Sequence, residues 1–144
     1  MRLVLAVIAA SALFAQAPAA PDEASPLDYQ FFKVKVQPIF LTKREGHARC
    51  YVCHSTGTPF RLQRLSPGAS TWDDEQSRKN FRAASAMITV GDPEQSLLLR
   101  EPLTQAAGGN HFHPGGKHWD SKSAPEWKVL DEWAHGRKLS ASSK

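Results

Sequence analysis

Cysteine is scarce in this chain, with two among 144 residues. A disulfide-stapled scaffold needs several pairs. A structural zinc site wants four nitrogen or sulfur ligands, usually two cysteine pairs or one pair with a paired-histidine motif, and no second C-x-x-C exists. Concentrated charge is missing as well. The 18 Lys and Arg against 14 Asp and Glu leave a formal net charge of +4, spread along the sequence, whereas nucleic-acid binding needs a clustered basic stripe. So mild a balance allows only a weak preference for an acidic partner. There is no internal repeat. The longest apolar run, Leu3 to Phe14, is shorter than the roughly 20 residues of a membrane-spanning helix.

That run reads instead as a secretory signal peptide. Arg2 supplies the positive charge, and Ala15 to Ala20 is a small-residue stretch of the cleavage-site kind. Pro18 and Pro21 leave the cleaved bond open, and the competing reading is an uncleaved anchor. No cysteine lies near this region, which excludes a lipoprotein anchor. The expected organisation is a signal peptide over 1–20, a flexible leader over 21–28, one domain over 29–137 and a polar tail over 138–144. An exported, periplasmic location follows from the first of these.

Both cysteines fall in one motif, Cys50-Tyr51-Val52-Cys53-His54. C-x-x-C-H is the attachment site of a c-type haem. Two thiols separated by two residues match the two vinyl groups of the porphyrin and form thioethers with them. The following His54 then falls beneath the iron as its proximal ligand. Competing readings are a Cys50–Cys53 disulfide, which would close a very small loop, a zinc site, and a thioredoxin-like redox pair. The last needs a βαβ context that the flanking sequence does not offer. Covalent haem attachment takes place outside the bacterial cytoplasmic membrane, so motif and export signal agree.

The remaining sequence predicts an all-α domain. A first helix is expected over Asp28 to Thr42, with Phe31, Val34, Ile39 and Leu41 in partial helical spacing and a kink at Pro38. Its β-branched residues make a strand the competitor. Lys43 to Arg49 and Ser55 to Ser70 read as loops. A second helix starts from a Ser70 or Thr71 cap, has acidic residues in its first turn, carries Phe81, Ala84 and Ile88, and reaches about Val90. Asp92-Pro93 opens a short third helix bearing Leu97, Leu98 and Leu99. Gln105 to Ser121 is a glycine- and histidine-rich loop. The last helix has Ser123-Ala124-Pro125-Glu126 as a capping box, Trp127, Leu130 and Ala134 on one face, and Gly136 as terminator.

With these residues the chain resembles the class I-like c-type cytochromes, and among them the exported cytochrome c domains of planctomycetes and acidobacteria. The likeness rests on Val36-Gln37-Pro38-Ile39-Phe40, on Gly91 through Leu99, on His113-Pro114-Gly115-Gly116, and on Pro125-Glu126-Trp127 through Trp133. It spans about Tyr29 to Gly136. The resemblance implies a helical fold around one covalently bound haem c, with N- and C-terminal helices crossing beside the haem edge. Many relatives carry a late Met-Pro-Pro ligand triplet, and this chain has none.

The sixth iron ligand is therefore an open choice. His113 heads the matching His-Pro-Gly-Gly segment in a loop whose glycines allow close approach, and it is the first candidate. Met87, the one methionine beyond the signal peptide, is the alternative, although methionine among alanines is commonly core filler. His111 and His118 follow, and an open or water-bound iron completes the choices. His47 and His135 read as surface residues. Trp119 and Trp127 read as core or helix-interface aromatics, or as hydrogen-bond donors to a haem propionate. The functional expectation is an exported electron carrier between unidentified redox proteins. It would have no nucleic acid or small-molecule substrate, and would meet membranes only through partners. The alternatives are a haem sensor or peroxidase-like enzyme with an exchangeable sixth position, and a non-haem module whose cysteines pair.

Overall fold

The computed structural model describes residues 25–140, so the signal-peptide reading and the end of the tail lie outside the described residues. The described residues are helical, with no strand among them. The only extended pairing there is one isolated parallel bridge between Leu103 and Trp119.

The first helical region is a continuous run in three parts: α1 (Tyr29–Phe31), a π-helical stretch (Phe32–Val36) and α2 (Gln37–Leu41). Asp28 caps α1 by accepting from the Phe31 amide. The widened turn comes immediately before Pro38, which has no amide hydrogen and whose ring crowds the carbonyl four residues back. The Gln37 amide reaches the Phe32 carbonyl instead, a π-type bond one residue longer than the α-helical one. The wider turn changes which face is buried. Phe31, Phe32, Val36, Ile39 and Phe40 go inward, and Val34, expected inside, is 50% exposed.

After the loop over 43–49, α3 (Cys50–His54) is a single helical turn. The second long helix, α4 (Asp74–Ser85), is shorter at both ends than its sequence suggested. Its cap is Asp73 rather than Ser70 or Thr71. Asp73 accepts from the Gln76 amide while the Gln76 side chain accepts from the Asp73 amide, so two otherwise orphaned donors are satisfied together. The helix ends before Met87, whose carbonyl accepts from the Leu98 amide across the loop. Met87 and Ile88 therefore sit past the helix, packed against the core from a turn.

Asp92 caps only a turn, through its bond from the Gln95 amide, and the helix that follows, α5 (Leu97–Arg100), has Ser96 as its N-cap. Ser96 is fully buried and links the loop to itself, accepting from the Thr89 amide and donating to the Asp92 carbonyl. A short 3-10 turn (Gln105–Ala107) interrupts the histidine-rich loop. The last helix, α6 (Pro125–Ala134), starts on Pro125 as expected, but its capping box does not form. Ser123 turns to Ser121, and Glu126 is drawn to Arg44 and Trp119.

The core is aromatic. Trp133 on α6 is fully buried, with ring centroids 5.3 Å from Phe32 and 6.0 Å from Phe81. Its indole N–H donates to the Asp28 carbonyl at 3.1 Å. From this centre a file of rings runs outward, Phe32 to Phe40 at 6.2 Å, Phe40 to Phe60 at 5.5 Å and Phe60 to His54 at 4.8 Å. Each such ring buried contributes about 1.5–3 kcal/mol relative to exposure, and the file ends on the wall of a cavity.

Candidate haem site

The cavity encloses about 350 Å³. The turn α3 forms one side with Cys50, Cys53 and His54, and the loop segment His113-Pro114-Gly115 faces it. Phe40, Phe60, Met87, Leu97, Leu98 and Leu130 are among the apolar residues of the wall. Leu97, within this apolar lining, is 44% exposed. Both cysteines are free thiols, Cys53 exposed and Cys50 partly buried. A Cys50–Cys53 disulfide is not formed.

Two imidazoles are fixed by the same device. The His54 Nδ1–H donates to the Phe60 carbonyl at 2.9 Å, with the Thr58 hydroxyl 3.1 Å away. The His113 Nδ1–H donates to the Gly116 carbonyl at 2.7 Å. A carbonyl only accepts, so each ring carries a proton on Nδ1, and in the neutral form the lone pair is on Nε2. Metal-bound histidines almost always donate the remote N–H to a carboxylate, a backbone carbonyl or water, which orients the ring. The two ring planes lie 17° apart, with centroids separated by 6.1 Å. Two imidazoles sharing one metal at about 2 Å per bond have centroids roughly 6 Å apart. Burial holds the His54 pKa below its ordinary value, nearby His113 acting the same way and the Phe60 carbonyl against it. The neutral ring, the form that binds a metal, is thus favoured.

The other candidates divide clearly. Met87 lines the cavity, half-buried, from the turn after α4. His118 also lines it. Its pKa is pushed down to about 4, first by burial and then by Arg44 and His47. Its Nδ1 is buried without a hydrogen-bond partner. His111 is exposed, bonded to Gln105, and does not line the cavity. His47, read as a surface residue, is partly buried against His118 at 4.7 Å, whereas His135 is exposed beside Asp131. Trp119 borders the cavity but spends its N–H on Glu126 at 3.1 Å, and Trp127 is buried in the core.

Glycine is required in this loop on two grounds. Gly116 holds φ +81°, in the left-handed region that side chains avoid. At Gly109 a Cβ would fall 1.9 Å from the Leu103 carbonyl oxygen, so the chain can pass there only without a side chain.

Sequence reasoning missed the residues that support the motif. Arg44 donates from Nε to Glu126 at 2.9 Å, lies 3.9 Å from the Cys50 Sγ through Nη1, and reaches the Ile39 carbonyl. Burial pushes the Cys50 thiol pKa up, and Arg44 opposes it. Phe60 and Thr58 serve His54 from a stretch read only as loop. Among the described residues no group of three or more His, Cys, Asp or Glu is placed to hold a metal ion. Haem iron needs only two protein ligands, and the donor set of two thiols and two anchored imidazoles around one apolar cavity fits that group. No family model, curated protein or solved structure matches this chain.

Proposed function

We propose that residues 29–137 form a monohaem c-type cytochrome, exported from the cytoplasm, that carries single electrons between redox proteins. The observation that carries this reading is the pair of imidazoles, His54 and His113, each anchored through Nδ1 to a backbone carbonyl, with 6.1 Å between ring centroids beside the two thiols of C-x-x-C-H. In this reading Cys50 and Cys53 would hold the haem through thioether sulfurs, and His54 and His113 would supply nitrogen ligands to its iron. Bound haem supplies a one-electron iron couple. Two nitrogen ligands favour ferric iron more than a thioether would, which places the potential below that of Met/His cytochromes.

The protein's own part is to hold and to exclude. Phe60 and Thr58 fix the ring of His54, and Gly116 fixes that of His113. Phe40, Met87, Leu98 and Leu130 present apolar surface to the porphyrin plate and keep water from its face. With His54 and His113 both given to the iron, the site would leave no position for substrate, and the haem would supply outer-sphere electron transfer.

The test is the optical spectrum and mass of the matured protein. A low-spin spectrum with a sharp reduced α band, unchanged by carbon monoxide, is the expected result, together with a mass exceeding the amino acids by one haem. Rapid carbon monoxide binding would indicate the exchangeable-ligand alternative. A colourless chain with the mass of its amino acids alone would overturn the proposal.

A further inference from the structure

Arg44 and Glu126 stand 82 residues apart and form a partly buried ion pair, with side chains 12% and 29% exposed. The pair is built into three parts of the fold. Arg44 reaches the Ile39 carbonyl at the end of α2 and lies against the Cys50 sulfur of α3. Glu126 belongs to the first turn of α6 and accepts the indole N–H of Trp119, a residue of the cavity wall. The Arg44 guanidinium also lies 5.6 Å from the centre of the Trp119 ring. The pair thus touches the cavity lining at Cys50 and at Trp119, without itself lining the cavity.

Its charges matter because the cavity is apolar. Charges in such surroundings are screened less than in water, and the two opposite charges largely cancel each other at a distance. Removing one leaves the other uncompensated. We propose that the Arg44–Glu126 pair is a positioning element of the haem site: it seats the Cys50 turn against α2 and α6 and holds the local field near neutral, and so sets the reduction potential. The inference rests on the haem reading above.

Two single variants have opposite expected effects. In E126Q the Arg44 cation is left alone, oxidised iron is disfavoured, and the midpoint potential rises. In R44Q the Glu126 carboxylate is left alone, oxidised iron is favoured, and the potential falls. R44K keeps the charge, so the potential stays near that of the parent, although the lysine cannot span Cys50, Ile39 and Glu126 as the planar fork does. The measurement is an optical redox titration of the purified matured protein, with thermal unfolding recorded alongside. A merely structural role would lower the melting temperature in all three without opposed shifts of potential.

Should R44Q or E126Q fail to fold, W119F provides the reading. It removes one hydrogen bond from Glu126, leaves the pair in place, and is expected to lower the potential by a smaller amount. Shifts of one sign in both charge variants, or no shift in any variant that retains haem, overturn the inference and leave the haem reading standing. A parent protein without haem overturns both.

Discussion

His113 and Met87 both border the cavity, but their surroundings differ. The His113 ring is held by the Gly116 carbonyl and faces His54, whereas Met87 packs against core residues from a turn. On the proposed haem reading, H113A is therefore expected to give high-spin iron that binds carbon monoxide, while M87L leaves the spectrum unchanged. The paired spectra check this, and the reverse pattern would assign Met87. Gly109 offers a test away from the ligands. G109A forces a methyl group into the Leu103 carbonyl, and overpacking of this kind costs on the order of 1–3 kcal/mol, measurable by denaturant unfolding. Cys50, Cys53 and His54 could be singled out in the sequence because the chemistry proposed for them depends on spacing within five residues. Arg44 could not, since its value lies in a partner 82 positions away. The anchoring of His54 by Phe60 was hidden for a different reason: any residue can supply a carbonyl.

At the level of elements, helix existence was readable from periodicity and helix ends were not. The end of α4 shows why. Ser70, Thr71 and Asp73 are all competent caps, and only the reciprocal bonds with Gln76 select Asp73. D73A is expected to destabilise the protein by about 1 kcal/mol in chemical denaturation, with S70A and T71A near neutral. The failed capping box of α6 has the opposite cause. Glu126 has the right spacing for a local bond, but a guanidinium and an indole N–H offer stronger partners. The π-helical turn was likewise unreadable in detail. Pro38 announced a disturbance, but not that one widened turn would move Val34 to the surface.

For the molecule as a whole, the tie between the first helical run and α4 predicts acid behaviour. The carboxylate of Asp74 is held down to about 2 by Lys33, Tyr29 and Arg78, from an ordinary value of 3.8. Between those values the unfolded chain binds a proton that the folded protein does not. The contribution of Asp74 to stability is complete above pH 3.8 and is lost as the pH falls toward 2. D74N lacks it throughout. The parent should therefore unfold at higher denaturant than D74N at neutral pH, with the gap closing through that window. A gap independent of pH would show that the carboxylate charge is not what matters.

Asp28 joins the two ends of the fold: it caps α1, takes the Trp133 indole through its carbonyl and accepts the Leu139 amide on Oδ1. Those last contacts span 105 and 111 residues. A polypeptide threaded out from its beginning cannot lock its opening helix until Trp133 arrives. Up to that moment, the turn at 50–54 and the loop at 113 sit between two helices not yet fastened to each other.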